Sequence, residues 1–192
     1  ITLAVWLALV GLGSYIGNRI EFDSAFGRSF NAFGLSFIDI AILAQPTVIL
    51  IELARPVLGY ELGEVIPLPT TIAWTFLSLS LLCITIGMQF PFAVSYLKEK
   101  APEAYSFEAV GAFGGGAVFT FLLAGHFDPY QLVLIVSIIS IFVALYLLRK
   151  TFLLPLLILP VLLYIGGGKV LDSFQYRGFE LISRTESRYG EI

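Results

Sequence analysis

Apolar runs about as long as a bilayer is thick recur along this chain, and no other feature constrains its folding as much. A helix needs roughly 20 apolar residues to cross ~30 Å of hydrocarbon. Six such runs can be read: segment A at 1–17, B at 35–55, C at 70–97, D at 104–125, E at 129–148 and F at 151–166. Inside lipid, backbone polar groups must be paired within a helix or around a closed barrel. The alternating segments of ~10 residues that build a membrane barrel are missing. The expected fold class is therefore all-α, a polytopic bundle of six transmembrane helices. Charge agrees with this: 13% of the 192 residues are charged, against about 25% in a soluble domain, and the mean hydropathy is +0.91.

The formal net charge of −3 has no basic run behind it, and no nucleic-acid motif is present, so no nucleic-acid partner is expected. Cys83 is the single cysteine; it lies inside segment C and reads as a small hydrophobe. His126 is the single histidine, no cluster has metal-ligand spacing, and no metal site is expected. Ile1 already lies in an apolar run with neither Met nor a basic stretch before it, so the run is not expected to be a signal peptide and residues are expected to precede it. One set of connections carries Arg19, Arg28, Lys98, Lys100, Arg149 and Lys150. The other carries Arg55, with Lys169 and Arg177 in the tail. The positive-inside rule then places the first set in the cytoplasm and the tail outside.

Segments E and F are separated by Arg149, Lys150 and Thr151 alone. A continuous helix over 129–166 would be about 57 Å long, more than a bilayer needs, so a tight hairpin is expected, with Pro155 and Pro160 kinking segment F. After Gly166-Gly167-Gly168 the chain turns polar. The expected division is a transmembrane domain over 1–168, then a linker and the first strand of a truncated soluble domain over 169–192. That strand is placed at 179–186, with a turn at Tyr189-Gly190.

Segment D holds Gly111, Gly114, Gly115 and Gly116. Gly111 with Gly115, and Ala112 with Gly116, are small residues four apart, which lets helix backbones approach closely in lipid. A close hairpin with segment C through this face is expected. A phosphate loop is excluded, because no strand precedes it and no Lys-Ser or Lys-Thr follows. Gly13 and Gly17 make a similar pair in segment A. On segment C, Thr71, Thr75, Ser78, Thr85 and Gln89 share a face, as glue between helices or along a hydrated path; Gly87 and Pro91 predict a local break. Segment B carries Asp39, Gln45, Pro46 and Glu52. Gln45 and Glu52 share a face, Pro46 frees a carbonyl that a pocket could use, and Glu52 stands three residues before Arg55, in reach of a surface ion pair. Glu108 reads either as a structural acid or as a contact for a cationic substrate. Because Arg19, Gln89 and Glu108 all fall within about two turns of one boundary, a polar cluster is expected, with Glu108 accepting hydrogen bonds from Gln89, Arg19 or a backbone amide.

Four stretches together resemble the membrane region of bacterial spermidine synthase-like (polyamine aminopropyltransferase-like) proteins: VGLGSYIGNRI, GMQFPFAVSYL, FEAVGAFGGGAVFTFLL and GFELISRTESRYGEI. The order and spacing agree over nearly the whole chain, and the central pair is the more specific. The resemblance implies a bacterial inner-membrane protein with one helix before Ile1 and a catalytic domain after Ile192. That domain would hold decarboxylated S-adenosylmethionine, a glycine-rich loop and polyamine-binding acids; none of these lies here, so this chain alone is expected to carry no catalytic residue and no cofactor. Gly13-x-x-x-Gly17-Asn18-Arg19 followed by Gly27-Arg28 is also similar to a loop of major facilitator transporters, with longer basic spacing and too few helices. The expected function is a membrane module that anchors the aminopropyltransferase-like domain and feeds it substrate. The alternatives are a small exporter of polyamines or other organic cations, and a structural anchor. The expected partners are the lipid bilayer, a polyamine or organic cation, and further copies of the chain.

Overall fold

The computed structural model describes residues 2–20, 26–60, 64–97, 100–123, 125–175, 186–187 and 190–191, with side chains described for 2–20, 31–60, 64–97, 100–123 and 125–168. Its helices are α1 (Thr2–Arg19), α2 (Phe26–Glu52), α3 (Ala54–Leu58), α4 (Leu68–Tyr96), α5 (Ala101–Val118), α6 (Pro129–Leu148) and α7 (Ile158–Gln175). α5 continues as a π-helical turn, Phe119–Leu123, and a 3-10 helix, Thr151–Leu157, leads into α7. Pro69, Pro102 and Pro129 stand in the first two positions of α4, α5 and α6. A missing N–H costs nothing there, because the first turn's amides have no helical acceptor. Asp128 adds a capping box to α6: its carboxylate accepts from the Gln131 amide at 2.6 Å, and Gln131 Oε1 accepts from the Asp128 amide at 3.3 Å.

Five helical stretches are long and apolar enough to cross a membrane: Asn31–Glu52, Leu68–Tyr96, Ala101–Leu123, Pro129–Leu148 and Thr151–Gly168. This corrects the expected six. α1 forms and packs, but its 18 described residues end in Asn18-Arg19, which dilutes its apolar character. The expected E–F hairpin is present, closed by Arg149 in the left-handed region (φ 53°), and Pro155 falls within the 3-10 stretch. Two expectations are overturned. α4 runs unbroken through Gly87 and Pro91; the proline removes one backbone bond without ending the helix. α7 continues through Gly166–Gly168 to Gln175, so the expected linker begins as helix. The strand expected at 179–186 lies outside the described residues except for its last position, and so does the turn at Tyr189. What is described there is an antiparallel pairing of Glu186–Ser187 (β1) with Gly190–Glu191 (β2).

The long helices alternate in direction along the sequence, so neighbours in space are parallel or antiparallel according to their order. α1 and α4 are parallel: Gly13 abuts Ile84 and Gly17 abuts Met88. α4 is antiparallel to α2, through Gln89 with Ser36 at one end and the Trp74 indole N–H on the Leu50 carbonyl (2.8 Å) at the other. α2 is antiparallel to α6, through Gly34 with Leu148 and the cluster of Ile38, Ala144 and Leu148. α7 lies against α2, where Gly167 meets Ile49. The core is thus the seam of α1, α4, α2 and α6. α5 stands at its edge: Ala104 is the single buried side chain in that helix, at 5% exposure.

Candidate binding cleft

The marginal docking of α5 opens a cleft of about 770 Å³ between α2, α4 and α5. Helical spacing puts Phe33 and Phe37, four apart on α2, on the same side of it. The Phe33 ring meets Phe37 edge-on at 5.2 Å and stacks on Tyr96 of α4 at 5.8 Å. Phe90 and Phe107 complete the aromatic lining. Among the described residues, Gln89 of α4 and the exposed Glu108 of α5 add polar groups to this lining beside Tyr96. Gly111, one turn beyond Glu108, lines the same cleft, and a Cβ there would meet nothing within 4 Å.

Hydrogen bonding fixes which end of the Gln89 carboxamide the cleft receives. The buried Ser36 hydroxyl donates to the Phe33 carbonyl at 2.7 Å. Its oxygen can therefore only accept from Gln89, and Gln89 Nε2 donates to it at 3.3 Å. One N–H of Nε2 is used in this bond, and Oε1 is left to accept from a ligand. Among the described residues, no hydrogen bond or ion pair engages Glu108. The cleft thus offers a carboxylate and an amide oxygen, framed by aromatic faces. A carboxylate about 10 Å along a membrane-spanning helix is costly to leave without a counter-charge.

The expected polar cluster is therefore corrected. Gln89 bonds to Ser36, and Arg19 lies over the ring of Tyr15 at 5.0 Å, beside a neighbouring cavity of about 620 Å³ that Tyr15, Asn18 and Ser95 line. Neither donates to Glu108. The residues expected on segment B also fall outside the cleft. Asp39 and Leu35 are exposed on the side of α2 away from Phe33 and Phe37. Glu52 lies 16 residues beyond Ser36, or about 24 Å along the helix; nearby, Arg55 donates to the Glu64 carbonyl at 3.0 Å. Gln45 is fully buried in the α2–α6 seam, where its Nε2 donates to the Tyr130 carbonyl at 3.3 Å. Its Oε1 has no partner among the described residues, and Pro46 denies the Ile42 carbonyl its helical donor. The hydroxyls of α4 largely satisfy themselves: Thr71, Ser78 and Thr85 donate to the carbonyls of Pro67, Trp74 and Leu81. They do not need a hydrated path. The aromatic lining was missed by sequence reasoning; the signal for it was the Phe33–Phe37 spacing with Ser36 between.

The glycines divide. Gly13 and Gly17 are buried against α4, as expected of helix-packing residues. Gly111, Gly114, Gly115 and Gly116 meet nothing within 4 Å of an added Cβ, so the expected close hairpin of α4 and α5 through that face is not formed. The residue on α4 that permits close approach is Gly87, where a Cβ would collide with the Val10 carbonyl.

The fold fits a multi-pass helical membrane protein with a laterally placed cleft. Comparison with known protein families, with curated proteins and with solved structures gives no match.

Proposed function

We propose that this chain is a membrane module that holds an organic cation between α2, α4 and α5. The observation that carries the reading is Glu108: a carboxylate within a membrane-spanning helix, lining an aromatic cleft and engaged by no described residue. A cationic ligand supplies the missing counter-charge, and aromatic faces add about 0.5–2 kcal/mol of cation–π attraction. The resemblance to spermidine synthase-like membrane proteins also points to amine chemistry, with the module anchoring an aminopropyltransferase-like domain. The sparse contact between α4 and α5 favours a module that loads and releases its ligand over a purely structural anchor.

Thermal unfolding of the detergent-purified chain tests this. A ligand at 100 times its Kd stabilises the state that binds it by about 2.7 kcal/mol. Organic ammonium salts should raise Tm, neutral isosteres should not, and Glu108→Gln should remove the difference. Equal responses to charged and neutral compounds would refute the proposal.

A further inference from the structure

We infer that the cleft selects a singly charged amine with an apolar body, and not a polyamine. This rests on the organic-cation reading of the same site. Three features carry it. The first is the charge count: among the described residues, Glu108 is the one acid that lines the cleft. Glu103, five residues earlier on α5, is paired with Lys100 at 2.8 Å, and Asp39 is on the far side of α2. A polyamine would bring several ammonium groups and find a counter-charge for one among the described residues, leaving the others desolvated among phenylalanines, at heavy cost.

The second feature is the pairing of a carboxylate with the Gln89 amide oxygen, whose orientation the Ser36 relay sets. Two acceptors suit an ammonium head that still carries N–H donors. A quaternary ammonium would use the charge and leave the amide oxygen unmatched. The third is shape and apolarity. A cleft of about 770 Å³ walled by Phe33, Phe37, Phe90 and Phe107 exceeds what an ammonium head fills. The remainder suits a hydrocarbon body, each buried methylene adding about 0.8 kcal/mol. Phe107 lines the cleft and is 69% exposed on α5, so the cleft is open beside that ring. An amphipathic amine dissolved in the bilayer therefore has an entry route beside that ring.

The test is equilibrium binding of radiolabelled octylamine to the full chain in lipid nanodiscs, with uptake into empty nanodiscs subtracted. Diaminooctane, spermidine and octanol serve as competitors. The expected result is saturable octylamine binding that weakens at least about tenfold in Glu108→Gln, with each competitor at least about tenfold poorer than unlabelled octylamine. Gln89→Glu adds a second acid, and should move the preference toward diaminooctane. Competition by spermidine or diaminooctane as strong as that by octylamine would overturn the single-charge inference and leave the organic-cation proposal standing. No saturable binding of any ammonium compound would overturn both.

Discussion

Two regions of this molecule carry the same sequence device and use it oppositely. α1 has Gly13 and Gly17; α5 has Gly111 and Gly115, with Gly114 and Gly116 beside them. On α1 the glycines meet the α4 backbone so closely that a Cβ on Gly13 would collide with the Ile84 carbonyl, and Gly87 reciprocates against Val10. On α5 the glycines face open space. Small residues four apart state that a helix can be approached closely. They do not state by what. At α1 the approach is by a backbone; at α5, Glu108 and an aromatic wall accompany the glycines, and the space they leave belongs in part to a cleft.

The largest effect that could break this comparison is at the α1–α4 crossing. Gly87→Leu forces side-chain volume into two touching backbones, and the expected loss is about 3 kcal/mol or more in chemical unfolding of the detergent-solubilised chain. A loss under about 1 kcal/mol would mean that the helices are not in backbone contact. An intermediate effect is expected at Gly34, where an added Cβ meets the flexible end of Leu148 at 2.7 Å. Gly34→Ala should cost about 1 kcal/mol, since a side chain yields where a backbone cannot. Asp128→Ala tests local helix chemistry outside both regions: losing the capping box of α6 should cost about 1 kcal/mol. The smallest effect is on α5. Gly115→Ala should leave stability unchanged or raise it by up to about 1 kcal/mol, because alanine is the better helix former and nothing opposes its methyl. Destabilisation there would sharpen the comparison, because it would show that α5 packs against another copy of the chain.

The same contrast explains what could be read from the sequence. Five crossings were legible because each concentrates apolar residues over a bilayer's length. The α6–α7 turn was legible because a single helix through Arg149 would be too long. Gln89 and Glu108 were legible as polar residues at membrane depth, and the structure brings them to one cleft. Their partners were not legible. Glu108 was expected to join Arg19, because both lie near one boundary; boundary depth fixes height in the bilayer but not position around the bundle, and Arg19 settles on Tyr15. Phe33, Phe37 and Phe107 read as ordinary apolar residues, because hydropathy cannot distinguish a ring facing lipid from one lining a cleft. Thr71, Ser78 and Thr85 looked like a polar face seeking partners, yet each bonds to its own helix, an option that hydroxyl side chains carry in any helix.

The central claim is that Glu108 is the counter-charge of a bound organic cation, and chemical modification reads that carboxylate most directly. Dicyclohexylcarbodiimide, a hydrophobic carboxyl reagent, can be applied to the chain in lipid nanodiscs and the modified residues located by mass spectrometry. The account predicts that Glu108 is modified, and that octylamine protects it saturably while octanol does not. Modification of Glu108 at the same rate at every octylamine concentration would contradict the account.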